Sequence, residues 1–217
     1  MIISPGRGYI FVHIPKTGGT SLALALESRA MKQDILIGDT PKAKRRRKRL
    51  KGVETAGRLW KHSTLRDIHG LVEDAEIERF FTFTIVRNPW DRMVSYYHWL
   101  RVQTFGHPAV SLAHATDFPA FLNHHSTRRA FLDNPYAAYV TDRHGVERCD
   151  LFLRLESLQH DIAALESRLN LKLPPLGHAN TSARRRDWRS YYSETDRSLL
   201  GDICAVDIDR FGFRFDP

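Results

Sequence analysis

Residues 9–21, YIFVHIPKTGGTS, set the fold. Tyr9 to His13 opens with aromatic and β-branched side chains over the length of one short buried strand. From Gly18 onward Leu22, Ala25 and Leu26 recur at spacings of three and four, the period of a helix with one apolar face. Two adjacent glycines join these elements. Glycine lets the backbone approach a ligand in conformations closed to other residues, and a helix start aims unpaired N–H groups at the same spot. Lys16 adds a charge, and Thr20 and Ser21 add hydroxyl donors. The pattern predicts that Lys16, Thr17, Gly18, Gly19, Thr20 and Ser21 form a loop for a tetrahedral anion.

In the nucleoside-triphosphate loop G-x-x-x-x-G-K-[ST], the lysine follows the glycines and directly precedes the hydroxyl that meets magnesium. Here the lysine comes first. No apolar strand ends in an acid placed to hold a metal: Phe80 to Val86 runs into Arg87, and Glu156 follows Arg154-Leu155. A kinase needs carboxylates for its metal ions. This chain offers cations instead, and no metal is expected.

Residues 80–97, FFTFTIVRNPWDRMVSYY, repeat the strand-then-helix arrangement. Asn88 suits an N-cap and Pro89 a first helical residue, and Trp90, Met93, Val94 and Tyr97 form the core stripe, with Ser95 off it. The Arg87 guanidinium and the Ser95 hydroxyl are good donors for a second anion. The alternative pairs Arg87 with Asp91 and leaves Ser95 as a filler. Further along, Leu151 to Leu155 reads as a strand, and Ser157 to Leu169 and Ser193 to Val206 read as helices. Thr64 to Asp67 resembles a capping box opening a short helix, with His62 in the loop before it. Strands alternating with helices predict an α/β fold with a mainly parallel central sheet flanked by helices, in one domain spanning 1–217, its site at the C-terminal strand ends.

The formal charge of +8 is local. Residues 42–51, KAKRRRKRLK, hold eight Lys and Arg and no acid, and without them 25 basic side chains face 25 acidic ones. Like charges repel, so the run is expected as a solvated, mobile loop, with a clamp for a polyanionic substrate or a membrane contact as the functional alternatives. It lacks interleaved aromatics and any nucleic-acid motif, so no nucleic-acid partner is expected. Cys149 and Cys204 form no CxxC pair, no signal-peptide core opens the chain, and no stretch nears the ~20 apolar residues of a membrane span. These features predict a cytoplasmic setting. Oligomeric state is not legible.

HIPKTGGTS followed about 70 residues later by FTIVRNPWDRMVSYY resembles the two signatures of the PAPS-dependent sulfotransferases, in the family of the Golgi carbohydrate sulfotransferases and their soluble bacterial relatives. The likeness extends to Lys61-His62-Ser63-Thr64, Leu153-Arg154-Leu155-Glu156 and Asp207 to Phe213. It implies a P-loop-like fold in which Lys16 to Ser21 hold the 5′-phosphosulfate of 3′-phosphoadenosine 5′-phosphosulfate (PAPS), while Arg87 and Ser95 hold its 3′-phosphate. It also implies metal-free transfer, with Lys16 supporting the leaving phosphate. The late loop 174–190, with Ser182 and Arg184, is similar to a family segment that covers the nucleotide.

Transfer to a hydroxyl calls for a base titrating near neutrality. Carbohydrate-type relatives use a histidine in the region matched by His62, which makes His62 the candidate. His13 is expected to pack or bond the loop backbone, and Glu54 and Asp67 are the carboxylate alternatives. The acceptor implied is a hydroxyl on a carbohydrate or glycolipid, with the basic run attracting an anionic glycan or lipid. A P-loop kinase explains the first loop alone, and a non-catalytic nucleotide-binding relative stays open.

Overall fold

A computed structural model describes residues 1–177, 184–185 and 187–216. Its five-stranded sheet has the order β3-β1-β2-β4-β5, from β1 (Ile2–Ser4), β2 (Tyr9–Val12), β3 (Ile35–Leu36), β4 (Phe81–Val86) and β5 (Leu151–Arg154). β2 pairs parallel with β4 and β4 with β5, whereas β1 runs antiparallel to both β2 and β3. Four strands therefore share one direction, and β1 alone opposes them. β2 has neighbours on both edges and all four of its residues are fully buried, which is why the opening run is unbrokenly apolar. Phe11 lies opposite Phe83 in the parallel register, with the rings stacked at 5.4 Å, and the Thr84 hydroxyl donates to the Val12 carbonyl at 2.7 Å.

The chain packs as two compact units. The first, 1–86 and 136–179, contains the sheet with α1 (Gly19–Ser28), α2 (Pro41–Arg46), α3 (Asp74–Arg79), α8 (Tyr136–Val140) and α9 (Leu158–Leu169). Its core joins Phe11, Leu22, Leu26, Phe83, Leu153 and Leu165, from the sheet and from α1 and α9. The second, 87–135 and 180–217, is helical: α4 (Pro89–Leu100), α5 (Pro108–Ala115), α6 (Phe118–Asn123), α7 (His125–Leu132), α10 (Glu194–Ile203) and α11 (Ala205–Phe211). There the expected α4 stripe is buried against Phe118, Phe121 and Leu200. Asn88 caps α4 through its side-chain oxygen to the Trp90 N–H, 3.1 Å, and Pro89 occupies the first turn.

Three local expectations are corrected. Residues 42–50 of the basic run are helical, in α2 and a 3-10 turn at Arg47–Leu50, rather than a loop. Thr40 caps α2 through its hydroxyl, 3.1 Å from the Ala43 N–H, Pro41 starts it, and Lys42 and Arg46 donate to carbonyls of Glu27, Met31 and Asp34. These bonds offset the repulsion among the remaining cations. Thr64 and Asp67 do exchange capping bonds, 2.7 and 3.2 Å, but a turn follows instead of a helix. Here the Leu65 N–H goes to the Tyr139 carbonyl, and the Asp67 and His69 carbonyls accept from Gly57 and Ala56, so tertiary partners take up the backbone. The last helix is interrupted at Cys204, between α10 and α11. Among the described residues no helix is long and apolar enough to cross a membrane.

Candidate active site

The loop after β2 has an unusual backbone. Lys16 has φ 67°, a left-handed conformation found at one other non-glycine residue among those described, Asn170, which ends α9. Asparagine tolerates that region; for lysine it costs about 1–2 kcal/mol and points to a required shape. Gly18 follows at φ 82° and precedes α1, whose first turn no side chain caps. A Cβ on Gly18 would lie 2.5 Å from Leu155 Cδ1, and one on Gly19 would lie 2.7 Å from His13 Nε2 and closer still to Cδ2. Both glycines are thus required by tight neighbours, and the helix start is left open to an anion. The Thr17 hydroxyl turns inward to the Ile14 carbonyl, 3.0 Å, in a fully buried side chain, so what Thr17 offers an anion is its backbone N–H. Thr20 and Ser21 are partly exposed.

His13 connects this loop to His62. The His13 ring is buried beneath Gly19 and stacks on Phe11 at 5.8 Å, matching the packing role expected of it. Its carbonyl lies 2.7 Å from His62 Nδ1. A carbonyl only accepts, so Nδ1 carries the proton and Nε2 the lone pair, the tautomer a base needs. Burial lowers the His62 pKa to about 3, opposed by the bond to the His13 carbonyl and reinforced by the Lys61 charge. Burial also holds His13 well below the usual histidine range, with nearby positive charge, Lys16 included, adding to the effect. Both imidazoles are neutral at pH 7. Glu54 is exposed, and Asp67 is committed to the Thr64 N–H.

In the second unit, Arg87 donates to Asp91 Oδ2 through Nε and Nη2, at 2.9 and 2.6 Å. Arg184 reaches the other oxygen of the same carboxylate at 2.7 Å. One acid one turn into α4 therefore gathers a strand-end arginine and a late-loop arginine, and Ser95, one turn further, is buried beside them in sequence at 7% exposure. The Arg87–Asp91 spacing of four was visible in the sequence; the arrival of Arg184 was not, since nothing local links residue 184 to α4. His98 carries a pKa lowered by burial and by the charges of Arg184 and Arg101, which places it near this cationic group. Ser182 lies outside the described residues. Among the described residues no three of His, Cys, Asp and Glu are grouped as a metal site.

Comparison with known proteins adds two findings. The sequence pattern of the sulfotransferase family fits residues 1–214. The crystal structure of mouse sulfotransferase SULT7A1 complexed with PAP is similar in fold, with a TM-score of 0.54 and 16% identity, over 92% of this chain and 83% of that one. No curated protein matches the sequence.

Proposed function

The chain belongs to the sulfotransferase family, and on that premise we propose that it transfers a sulfuryl group from PAPS to a hydroxyl of a carbohydrate or glycolipid, without a metal and with His62 as the base. The observation that carries the proposal is the double role of His13, whose ring supports Gly19 of the anion loop and whose carbonyl sets the His62 tautomer. A cradle that excludes a Cβ at two successive positions fits the phosphosulfate group. Lys16, the backbone of Thr17, Gly18 and Gly19, and the hydroxyls of Thr20 and Ser21 take that end of the donor, and Arg87 and Ser95 take the 3′-phosphate. Arg184, with Ser182, belongs to the same nucleotide-contacting set, since Arg184 shares Asp91 with Arg87.

PAPS, when bound, supplies the sulfuryl group and adenosine 3′,5′-bisphosphate as the leaving group. His62 Nε2 accepts the acceptor's proton as the new O–S bond forms and the S–O bond to the 5′-phosphate breaks. Lys16 then meets the electron pair left on the bridging oxygen, where a positioned donor is worth about 10²–10³ in kcat. Burial holds His62 neutral at pH 7 but weakens it as a base, and the negative charge of a bound donor opposes that loss by raising its proton affinity.

The basic helix supports an anionic acceptor. Lys44, Arg45, Arg47, Lys48 and Lys51 are exposed and show no acidic partner among the described residues. An anionic membrane surface presenting a glycolipid would use the same charges as a peripheral contact. A single catalytic domain over 1–217 and a cytoplasmic setting complete the proposal, supported by the family pattern spanning 1–214 and by two cysteines without a CxxC spacing.

The test is a thermal-shift comparison of adenosine 3′,5′-bisphosphate with magnesium-ATP, then single-turnover sulfation from labelled PAPS. The bisphosphate is expected to raise the melting temperature and ATP to leave it unchanged, with transfer lost in Lys16→Ala, His62→Ala and His62→Gln and kept in Glu54→Gln. Normal rates in both His62 variants would remove it as the base. A shift with ATP alone would overturn the donor assignment.

A further inference from the structure

A polar line runs along one face of α4. Asp91, Ser95 and His98 follow one another at spacings of four and three, and Arg87 stands four residues before the first of them. The proposed donor contacts take up Arg87 and Ser95, with Asp91 holding the arginine, and leave His98 without a role. Two contacts fix where its ring stands. The Tyr191 ring meets the imidazole edge-to-face, centroids 5.1 Å apart, and the Tyr191 hydroxyl accepts the Arg185 N–H at 3.0 Å. Phe118 backs the same tyrosine at 5.5 Å. One tyrosine thus holds the imidazole with its ring and the backbone beside Arg184 with its hydroxyl, and Arg184 completes the group through its bond to Asp91 Oδ1, 2.7 Å.

The polar atoms gathered there are incompletely satisfied. His98 Nε2 and Arg184 Nη1 are both shut off from solvent and meet no hydrogen-bond partner among the described residues. A buried polar nitrogen in that condition is costly, and two of them in one cluster ask for a shared acceptor. Charge points the same way. Two guanidinium groups on one carboxylate leave a net positive charge at Asp91. Burial, Arg184 and Arg101 together lower the His98 pKa, so the imidazole sits in a positive field rather than against an acid. A phosphate monoester brings a charge of about −1.5 to −2 and three acceptor oxygens. Arg87 turns Nε and Nη2 to Asp91 Oδ2, so such a group needs donors besides that arginine.

We propose that His98 is a further donor to the 3′-phosphate of the nucleotide, acting from Nε2 beside Arg184 Nη1, and that it helps the site select a donor carrying this phosphate. The phosphate oxygens satisfy both enclosed nitrogens at once. This rests on the sulfuryl-transfer function above and adds a specificity-determining residue to the same nucleotide site.

The experiment is calorimetric binding of two nucleotides that differ by the 3′-phosphate alone, adenosine 3′,5′-bisphosphate and adenosine 5′-phosphate, to the full chain. Wild type is expected to prefer the bisphosphate, and Arg87→Ala to lose most of that preference. His98→Ala and His98→Phe are each expected to weaken the bisphosphate about 10- to 100-fold, the worth of a hydrogen bond to a charged group, and to leave adenosine 5′-phosphate at its wild-type affinity. The phenylalanine keeps a planar ring against Tyr191 without the donor, which separates lost packing from a lost hydrogen bond. His98→Gln retains an N–H and should recover most of the affinity. An equal loss for both nucleotides in the alanine and phenylalanine variants, or an unchanged bisphosphate affinity in them, overturns the inference while the Arg87 result stands. A wild type that binds the two nucleotides alike, or binds neither, overturns the placing of the 3′-phosphate at this site instead.

Discussion

Replacing Gly19 by alanine tests whether His13 couples the proposed anion loop to the proposed base, His62. At the first position of α1, alanine is a better helix former than glycine by about 0.5–1 kcal/mol, so propensity alone would make Gly19→Ala stabilising. The structure opposes this. The added methyl would stand 2.7 Å from His13 Nε2 and nearer to Cδ2, where anything under 3.0 Å forces a shift. The ring has little room to give way, being 7% exposed, stacked on Phe11 and packed at 4.8 Å against the His62 ring. Overpacking of this kind costs about 1–3 kcal/mol, so a net loss of about 1–2 kcal/mol is expected. Urea unfolding with an unchanged m-value measures it, beside calorimetric affinity for adenosine 3′,5′-bisphosphate, expected to fall about tenfold as the cradle is displaced. In a His13→Ala background the obstacle is gone, and Gly19→Ala should change sign and stabilise by about 0.5 kcal/mol. A Gly19→Ala protein as stable as wild type, or the same effect in both backgrounds, would refute the coupling.

Lys16→Gly should separate stability from activity: removing the left-handed strain stabilises the fold by about 1 kcal/mol in chemical denaturation while transfer from PAPS is lost, and a destabilised variant would show that Lys16 is not strained. His62 has a native pKa of about 3 against about 6.5 unfolded, so its contribution to stability is complete above pH 6.5 and is lost as pH falls from there toward 3, because the unfolded chain takes a proton that the folded one refuses. Unfolding midpoints between pH 7 and 5 should therefore fall less steeply in His62→Gln, by about 1.4 kcal/mol per pH unit, and parallel slopes would place the histidine in water. Asp91→Ala leaves Arg87 and Arg184 without their shared carboxylate and should cost about 2 kcal/mol, below the ~3–5 of a fully buried pair. Adenosine 3′,5′-bisphosphate should then raise the melting temperature more in the variant than in wild type, and an equal shift would argue against a phosphate at these arginines.

Much of this was legible in one dimension because the information is periodic or adjacent. The β2 run is apolar without interruption, β4 breaks its apolar run only with the buried Thr82 and Thr84, the α4 stripe follows the helical repeat, and Asn88-Pro89 announces its own start. The loop proposed to hold the anion is legible because its glycines and donors are contiguous in the chain. The edge strand β3 and its neighbour β1 were not legible, since two or three residues carry no period, and neither were α5 to α7, whose short helices share one core with α4. The basic run was misread because repulsion is a property of its composition, whereas the cap at Thr40 and the carbonyls that receive Lys42 and Arg46 belong to other segments.

The chemistry of the site divides along the same line. Sequence alone pointed to a glycine-rich, donor-lined loop after the first long strand and to a second cationic motif after the next, because each is a run of consecutive residues. Only the tertiary structure decided why Gly18 and Gly19 must be glycines, which nitrogen of His62 holds the lone pair, and that Arg184 joins Arg87 on Asp91. Leu155 against Gly18, His62 against the His13 carbonyl and Arg184 on Asp91 each join residues distant in the chain, and a contact of that kind is set by packing, which leaves no local pattern to read.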